Sequence, residues 1–185
     1  MIKKKEVTAN EIIEFWFTEI TPEDWWKKNL TFDKVIKSRF SDIYKKAASG
    51  ELFNWRYDPL SSLAEIIILD QFPRNMFRDK KEAFATDALA VCLSQNAVEK
   101  GFDRDLNPEQ KSFMYMPLMH SESSEIHKVA ELLFSAKGME NSLNFELQHK
   151  KIIDRFGRYP HRNKILKRRN RKEETEFLKQ PNSSF

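Results

Sequence analysis

The chain contains few of the residues that make turns, disulfides or membrane spans. It has 4 glycines and 7 prolines in 185 residues, which leaves little room for a strand-rich architecture with its frequent turns. The single cysteine, Cys92, excludes an internal disulfide, a cysteine-based metal site and a CxxC redox motif, and its apolar surroundings predict a small core residue. No apolar run approaches the roughly 18 residues of a membrane span, and the N-terminus lacks an apolar signal core. We therefore expect a cytoplasmic protein with no membrane partner.

Aromatic residues and charge are plentiful. With 15 phenylalanines, 4 tryptophans and 40% hydrophobic residues, the chain is long enough for one packed helical domain over residues 1–185. Residues 161–185 hold 8 Lys/Arg and 3 acidic residues, a net charge of +5, so residues 1–160, with 24 and 25, carry −1. The prediction is a nearly neutral body with a basic C-terminal segment, residues 161–185.

Cap residues and apolar periodicity predict about seven main helices. Thr8 and Glu11 have the spacing of a capping box at the start of the first helix. Asp58 followed by Pro59 opens the third helix. The alternative for the apolar residues 66–69 of this segment is a buried strand. The second helix is predicted after residue 31, the fourth over about 86–100, the fifth from 107, the sixth near 123 and the seventh up to 157.

Seven amphipathic helices with short links predict an all-α antiparallel array, either a bundle or a short solenoid. Prolines 73 and 117 are expected to end the third and fifth helices. If successive helices alternate in direction, the loops after the third, fifth and seventh helices share one end of the molecule and form a cleft. The candidate cleft residues are Asp70, Gln71, Arg74, Asn75, Arg78, His120, Glu122, Arg158, His161, Arg162 and Asn163.

The arginines of this cleft permit two interpretations. They hold a carboxylate or phosphate by paired hydrogen bonds, or they form a structural network of ion pairs that ties helix ends together. His120 and Glu122 are close enough in sequence to act as an acid–base pair. The alternative is that Glu122 serves the first turn of the sixth helix and Ser121 its N-cap.

Familiar cofactor and catalytic signatures are absent. The chain has no G-x-S-x-G, P-loop, dinucleotide-binding or HExxH motif, and its 4 histidines are too scattered in sequence to predict a metal site. No cofactor is expected. The tryptophans are expected in the core rather than as stacking platforms. The basic run from Arg162 to Lys172 has no interleaved aromatics, which favours a solvated surface over a nucleic-acid site.

Four sequence blocks, LDQFPRNMFR, EAFATDALA, FMYMPLMHSE and RFGRYPHRNKIL, follow one another along most of the chain. Together they resemble the signature of a bacterial family known as domain of unknown function 924. The resemblance implies a helical protein similar to tetratricopeptide repeats, with no established activity, cofactor or substrate. It adds Thr86, Asp87 and Ser121 to the candidate site. The family normally continues with Gly-Arg and Ser-Thr-Pro where this chain reads KRRNRK, so the basic run is peculiar to this member.

Three functions are compatible with these observations. The leading hypothesis is a binding module that holds an anionic small ligand or peptide in the Arg/His-lined cleft. The second is a hydrolase or transferase of a small anionic substrate, with His120 and either Glu122 or Asp87 as the acid–base pair. The third is a structural or assembly protein.

Overall fold

The structure, a computed structural model, describes residues 6–181 and residue 183, so the ends of the predicted domain lie outside the described residues. The described chain is all-α and contains no strand. Its nine α-helices are α1 (Ala9–Glu14), α2 (Pro22–Trp26), α3 (Leu30–Ala48), α4 (Pro59–Met76), α5 (Asp87–Glu99), α6 (Pro108–Met119), α7 (Ser124–Phe134), α8 (Glu140–Phe156) and α9 (Lys172–Phe177). Seven of these correspond to the predicted helices, whereas α2 and α9 are additional short ones.

Local cap signals set most helix ends. The Thr8 amide donates to Glu11 Oε2 at 2.8 Å and the Glu11 amide to Thr8 Oγ1 at 3.3 Å, which completes the predicted capping box. Asn107 and Gln110 form a second capping box at the start of α6. Gly157 ends α8 with φ +68°, a conformation that side chains with a Cβ disfavour. These boundaries follow from residues within one turn of each other.

Helix α4 is the centre of the fold. Its residues 62–73 are all buried, and it packs against α1, α3, α5 and α6. A helix that is covered on every side has no polar face, which explains the unbroken apolar run at residues 66–69. The alternative of a buried strand there is therefore wrong.

Pro73 lies inside α4 rather than in a loop, so the predicted end of the third helix is wrong. Proline has no amide hydrogen, which deprives the Leu69 carbonyl of its usual helical donor. The Thr86 hydroxyl replaces that donor and reaches Leu69 O at 2.6 Å. As a result the helix continues to Met76. The candidate residues in its last turns are Asp70, Gln71, Arg74 and Asn75.

Pro117 is likewise accommodated within α6, which continues to Met119, so the prediction that this proline ends the helix is also wrong. Near it, the Ser94 hydroxyl donates to Met114 O at 2.6 Å. Both prolines thus lie beside a hydroxyl from the adjacent helical segment that bonds a helix carbonyl. At Pro73 the local rule that proline ends a helix fails because the Thr86 hydroxyl supplies the missing donor. At Pro117 the carbonyl that loses its helical donor is that of Phe113, and the Ser94 hydroxyl bonds the next carbonyl, that of Met114.

The buried face of α5 does not include Cys92. Cys92 is exposed, so its prediction as a core residue is wrong. The residues that α5 buries are Ala90, Ser94 and Ala97, whose small side chains allow α5 to approach α4 and α6 closely. No helix in the described part of the chain is long and apolar enough to cross a membrane.

Aromatic side chains fill the region between α1, α4 and α6. Trp16 is buried and its ring lies 5.7 Å from that of Phe72 and 5.6 Å from that of Phe113. The indole nitrogen of Trp25 donates to the Trp16 carbonyl at 3.0 Å. Trp16 and Trp25 thus belong to the core, as predicted, whereas Trp26 is exposed.

Candidate functional site

Three segments meet at one end of the helical array, as the alternation of helices predicts. They are the end of α4, the end of α6 and the short turn of 3₁₀-helix Pro160–Arg162 that follows α8. His120, the residue that caps α6, places Nδ1 at 2.9 and 3.0 Å from the two carboxylate oxygens of Asp70 in α4. Arg162 donates from Nη2 to the His120 carbonyl at 3.0 Å.

A cavity of about 620 Å³ opens beside these contacts. Its apolar wall comes from the turn before α5, from α5 itself and from the C-terminal segment. Charged and polar side chains from the start of α5 and the end of α6 complete it. The lining residues are Lys81, Glu82, Phe84, Ala85, Asp87, Ala88, Val91, His120, Ser121, Glu122, Arg162 and Leu166.

Asp70 is a fully buried carboxylate. Burial acts to raise its pKa, but the charge of Arg74, 3.3 Å away, and the hydrogen bond with His120 outweigh burial and lower the pKa to about 2. Gln71 donates a further hydrogen bond to it. Asp70 is therefore an ionised hydrogen-bond acceptor at neutral pH.

His120 is held as a neutral imidazole. Burial lowers its pKa, and the positive charge of Arg74 lowers it further, against the opposing effect of Asp70. Because a carboxylate only accepts hydrogen bonds, Nδ1 of the neutral ring carries the proton that points to Asp70. The basic atom is Nε2, which has no hydrogen-bond partner among the residues described. His120 is also one of the residues that line the cavity.

Two arginines surround Asp87, the first residue of α5. Arg74 donates to its two carboxylate oxygens at 3.0 and 3.2 Å, and Arg162 donates to one of them at 3.1 Å. The Arg162 guanidinium lies between two rings, 4.6 Å from the centroid of Phe84 and 4.7 Å from that of Tyr159. Together with Asp70, this cluster contains two positive and two negative charges, and its net charge is zero.

Glu122 is not the partner of His120, so that predicted pairing is wrong. Its carboxylate accepts two hydrogen bonds from the Arg168 guanidinium, at 2.5 and 2.8 Å, and one from the Tyr159 amide at 2.7 Å. The alternative partner, Asp87, is occupied by arginines. The carboxylate that holds His120 is Asp70, 50 residues away in sequence. Ser121 is not the N-cap of α7; that position belongs to Ser123, whose amide donates to Ser121 Oγ at 3.2 Å.

The structure places two candidate residues at a different contact, between α3 and α4. Asn75 donates to Asp33 Oδ1 at 2.9 Å, and Arg78 donates to both oxygens of Asp33 at 2.6 and 2.7 Å. These side chains join two helices at Asp33 and are not part of the cavity wall.

Two more candidates hold the C-terminal segment in place. Arg158 donates to both oxygens of the buried Glu174 at 2.7 and 2.8 Å, and Asn163 donates to Glu174 at 3.3 Å and to Asn170 at 2.8 Å. Arg168 connects this group to Glu122. We call these residues the Glu174 clamp: Glu122, Arg158, Asn163, Arg168 and Glu174.

The histidines, scattered in sequence, gather around Tyr159. Its ring centroid lies 6.3 Å from that of His127, 5.7 Å from His149 and 5.4 Å from His161, and His149 lies 6.5 Å from His120. Burial lowers the pKa of His149 to about 3 and that of His161 to about 4. Within the described residues, no group of three or more His, Cys, Asp or Glu side chains is arranged to hold a metal ion.

The sequence does not single out the apolar wall of the cavity or Tyr159. Phe84, Val91 and Leu166 belong to three different segments, and nothing near any of them in sequence marks it as a neighbour of His120. The basic run is also partly structural, because Arg168 bonds Glu122 and Arg171 donates to Phe156 O at 3.3 Å. Not all of the basic side chains in this run are therefore free to contact a partner.

Comparison with known proteins gives a family but no activity. A protein of unknown function from Agrobacterium tumefaciens has a solved structure that is similar to this one, with a TM-score of 0.88 and 37% sequence identity over 92% of this chain and 96% of that chain. No functionally curated protein matches the chain significantly. Residues 12–182 match the family model described as bacterial protein of unknown function, DUF924. The chain belongs to the DUF924 family.

Proposed function

We propose that the cavity is an active site in which the Asp70–His120 pair acts as the general acid–base of a hydrolase or group-transfer enzyme. In this proposal, Asp70 fixes the ring and its tautomer, and His120 Nε2 takes a proton from water or a substrate hydroxyl. The reaction takes place against the apolar wall formed by Phe84, Val91 and Leu166. The cytoplasmic location predicted from the sequence is part of the same proposal.

One observation carries this proposal: the buried carboxylate holds one ring nitrogen, while the other nitrogen, in a ring that lines the cavity, has no partner among the described residues. A histidine that served only packing would gain by bonding both nitrogens, as His127 does. Its Nδ1 lies 2.7 Å from Glu146 and its Nε2 2.9 Å from the Ser121 carbonyl. His120 and His127 thus have different bonding, and only His120 retains a base for chemistry.

The binding module with an arginine-held anion has less support. Arg74 and Arg162 already bond Asp87, and Arg78 and Arg158 bond Asp33 and Glu174. An anionic ligand would have to displace a carboxylate from at least one of these arginines, at a cost of several kcal/mol for a buried pair. We therefore rank the enzyme above the binding module, and both above a purely structural role.

Diethyl pyrocarbonate, which acylates unprotonated imidazole nitrogens, tests the proposal without knowledge of the substrate. We expect His120 to react faster than the three other histidines at neutral pH, with the modified positions identified by mass spectrometry of peptides. The Asp70→Asn variant reverses the tautomer, because the new amide donates to Nδ1 and moves the proton to Nε2. We expect its His120 to react at least about tenfold more slowly, as the loss of a free lone pair implies.

The matched control is Asp33→Asn, which changes a similarly buried carboxylate at the Arg78 contact but touches no histidine. It should leave the reactivity of His120 unchanged. If His120 is no more reactive than His161, or if Asp70→Asn does not affect it, the acid–base proposal is wrong.

A further inference from the structure

The loop between the turn Pro160–Arg162 and α9 carries a high density of positive charge. Residues 155–172 contain nine lysines and arginines and no acidic residue. Arg158, Arg162 and Arg168 take part in the contacts described above. The exposed basic side chains that follow this turn are Lys164, Lys167, Arg169, Arg171 and Lys172. We call residues 164–172 the basic loop.

The exposed cations of the basic loop are not neutralised by neighbouring carboxylates. Glu122 and Glu174, which contact this part of the chain, already pair with Arg168 and Arg158. Within the described residues, no ion pair involves Lys164, Lys167, Arg169 or Lys172. Several other lysines lie beside an acid three or four positions away, in the pairs Lys128–Glu125, Lys150–Asp154 and Lys179–Glu176. The basic loop is therefore a local excess of positive charge on a chain whose residues 1–160 carry a net −1.

Contacts within the chain hold the basic loop in place. The buried Asn163 donates to Asn170 Oδ1 at 2.8 Å and accepts from Arg168 Nε at 2.9 Å. The Arg168 amide donates to the Asn163 carbonyl at 2.7 Å, and Arg158 donates to the Arg169 carbonyl at 3.0 Å. A basic segment that served only solubility would gain nothing from such fixation, which costs conformational entropy. The sequence alone favours a solvated surface here, whereas these bonds fix the backbone that carries the cations.

Lys167 provides a second, independent observation. Its φ of +56° lies in the left-handed region, which is strained for a residue with a Cβ and relaxed for glycine. The Lys167 side chain is exposed, so packing does not account for lysine at this position. Backbone strain persists where the surrounding structure determines it, and it concentrates at functional sites. An exposed lysine on a strained, fixed backbone indicates that the charge itself is what this position supplies.

The chemistry around the basic loop selects among polyanions. Among the described residues, none of the exposed large apolar side chains lies beyond Phe145 in the sequence. The loop thus offers no anchor for insertion into a membrane and no platform on which unpaired bases stack. Lysine is also depleted at interfaces between proteins. Lysines and forked arginines do suit phosphate oxygens, which a duplex presents along its backbone without any base being unstacked.

We infer that the basic loop binds the phosphate backbone of a double-stranded nucleic acid without reading its sequence. Lys164, Lys167, Arg169 and Lys172 supply the contacts, each to one phosphate. Neutralisation of about four phosphates releases their counterions, so the logarithm of the affinity falls with the logarithm of the salt concentration with a slope of about −3 to −4. This binding is independent of the acid–base function proposed for His120, and either can fail without the other.

Fluorescence anisotropy of labelled duplexes of about 20 base pairs measures the binding on the full chain, with RNA in one arm and DNA in the other. Both duplexes should show the slope given above between about 50 and 200 mM salt. A triple variant of the loop, Lys164→Ala with Lys167→Ala and Arg169→Ala, should bind at least about tenfold more weakly at the lower salt and reduce the slope by about 3.

The matched control changes three exposed lysines outside the loop that form no ion pair within the described residues. It combines Lys27→Ala, Lys34→Ala and Lys37→Ala. The change in net charge is the same as in the loop variant, and the affinity should stay within about twofold of that of the parent.

Lys167→Gly separates binding from folding. It removes one cation and relieves the strained φ, so the affinity should fall about threefold while the midpoint of urea denaturation does not fall. If neither duplex binds, or if the control loses as much affinity as the loop variant, the inference is wrong. It is also wrong if the protein binds vesicles with about 30% phosphatidylserine but no duplex. Binding of only one duplex, weakened by the loop variant, supports the inference and identifies the nucleic acid.

Discussion

The cavity cluster, which consists of Asp70, Arg74, Asp87, His120 and Arg162, and the Glu174 clamp both contain buried carboxylates held by arginines. They differ in the hydrogen-bonding atoms that they leave without a partner. Asp70 and Glu174 are both buried, and nearby arginines hold the pKa of each at about 2. In the clamp, Arg158 and Arg168 direct their guanidinium groups to carboxylates and carbonyl oxygens. In the cavity cluster, His120 Nε2, Arg162 Nε and the first amides of α5 have no partner among the described residues.

This difference shows that a dense group of buried charges does not by itself indicate a site. A perturbed carboxylate pKa is common to both regions, so it distinguishes neither. What distinguishes the cavity cluster is unsatisfied hydrogen-bonding capacity beside an open cavity. The predictions below contrast the two regions, starting with the largest effect.

Asp70→Asn should cause the largest loss of function. The amide donates to His120 Nδ1 and leaves the proton on Nε2, so the reaction of His120 with diethyl pyrocarbonate should fall at least about tenfold, as expected for a wrong histidine tautomer. Mass spectrometry of peptides from the folded protein measures the rate. Arg158→Lys, a change in the Glu174 clamp, serves as the comparison and should keep most of the reactivity of His120. Equal losses in the two variants would mean that the regions do not differ as described.

Glu174→Ala should cause the largest loss of stability. It leaves Arg158 without its carboxylate and removes the acceptor that holds the Arg171 amide and Asn163. Since Arg158 is partly exposed and water replaces some of the lost bonding, we expect the free energy of unfolding to fall by about 3 kcal/mol, at the low end for a broken buried pair. Urea denaturation measures the change. Glu173→Ala, on the exposed side of α9, should change it by less than about 0.5 kcal/mol.

Acid should destabilise the histidine region before it affects the Glu174 clamp. Burial, with a contribution from Arg162, lowers the pKa of His161 to about 4, and burial lowers that of His149 to about 3. In the unfolded chain these histidines have ordinary pKa values near 6.5, so they bind protons that they do not bind in the folded chain. Stability is therefore lost as the pH falls from about 6.5 toward the folded pKa values. Each histidine should contribute a slope of about 1.4 kcal/mol per pH unit.

The variant His161→Gln separates the two regions in this experiment. It should reduce the slope of unfolding free energy between about pH 6.5 and pH 5.5, above the range in which the carboxylates of the unfolded chain take up protons. Glu174→Ala should leave the slope in that interval unchanged, because the lowered pKa of Glu174 makes its contribution fall only below about pH 5, where the unfolded carboxyl takes up a proton. Parallel pH profiles for the two variants would contradict the pKa of His161 given above.

Thr86→Val should cause the smallest of the four effects. It removes the hydroxyl that donates to Leu69 O at 2.6 Å and leaves a buried carbonyl without a donor. We expect a loss of about 1–2 kcal/mol in the free energy of unfolding. The exposed Cys92→Ser should have no measurable effect in the same urea denaturation experiment. If Thr86→Val is as stable as the parent, the hydroxyl does not compensate for Pro73.

Local sequence signals determined most of the fold. The capping boxes at Thr8 and Asn107 depend on residues three positions apart, and the glycine that ends α8 depends on its own φ angle. The same local rules failed at Pro73 and Pro117, where hydroxyls from another segment bond helix carbonyls. They failed again on α5, where close helix approach selected small side chains rather than the most apolar ones.

The candidate site was only partly predictable. Alternating helix direction predicts that the ends of α4 and α6 and the turn after α8 lie together, and in the structure Asp70 and Arg162 both bond His120. Only His120 and Arg162 of these three line the cavity. The alternation does not assign partners: Asn75 and Arg78 bond Asp33, and Glu122 bonds Arg168. Which side of a helix end a side chain occupies depends on rotations of about 100° per residue, so neighbours in sequence face different surroundings.

The sequence alone determined the helical class, most helix boundaries and the group of polar residues at one end, because these depend on periodicity and on bonds within a turn. Only the tertiary structure decided that His120 bonds Asp70, 50 residues away, and that Arg162 bonds Asp87, 75 residues away. Such contacts depend on how whole helices pack, and the energy of packing belongs to the assembled core rather than to any segment of it.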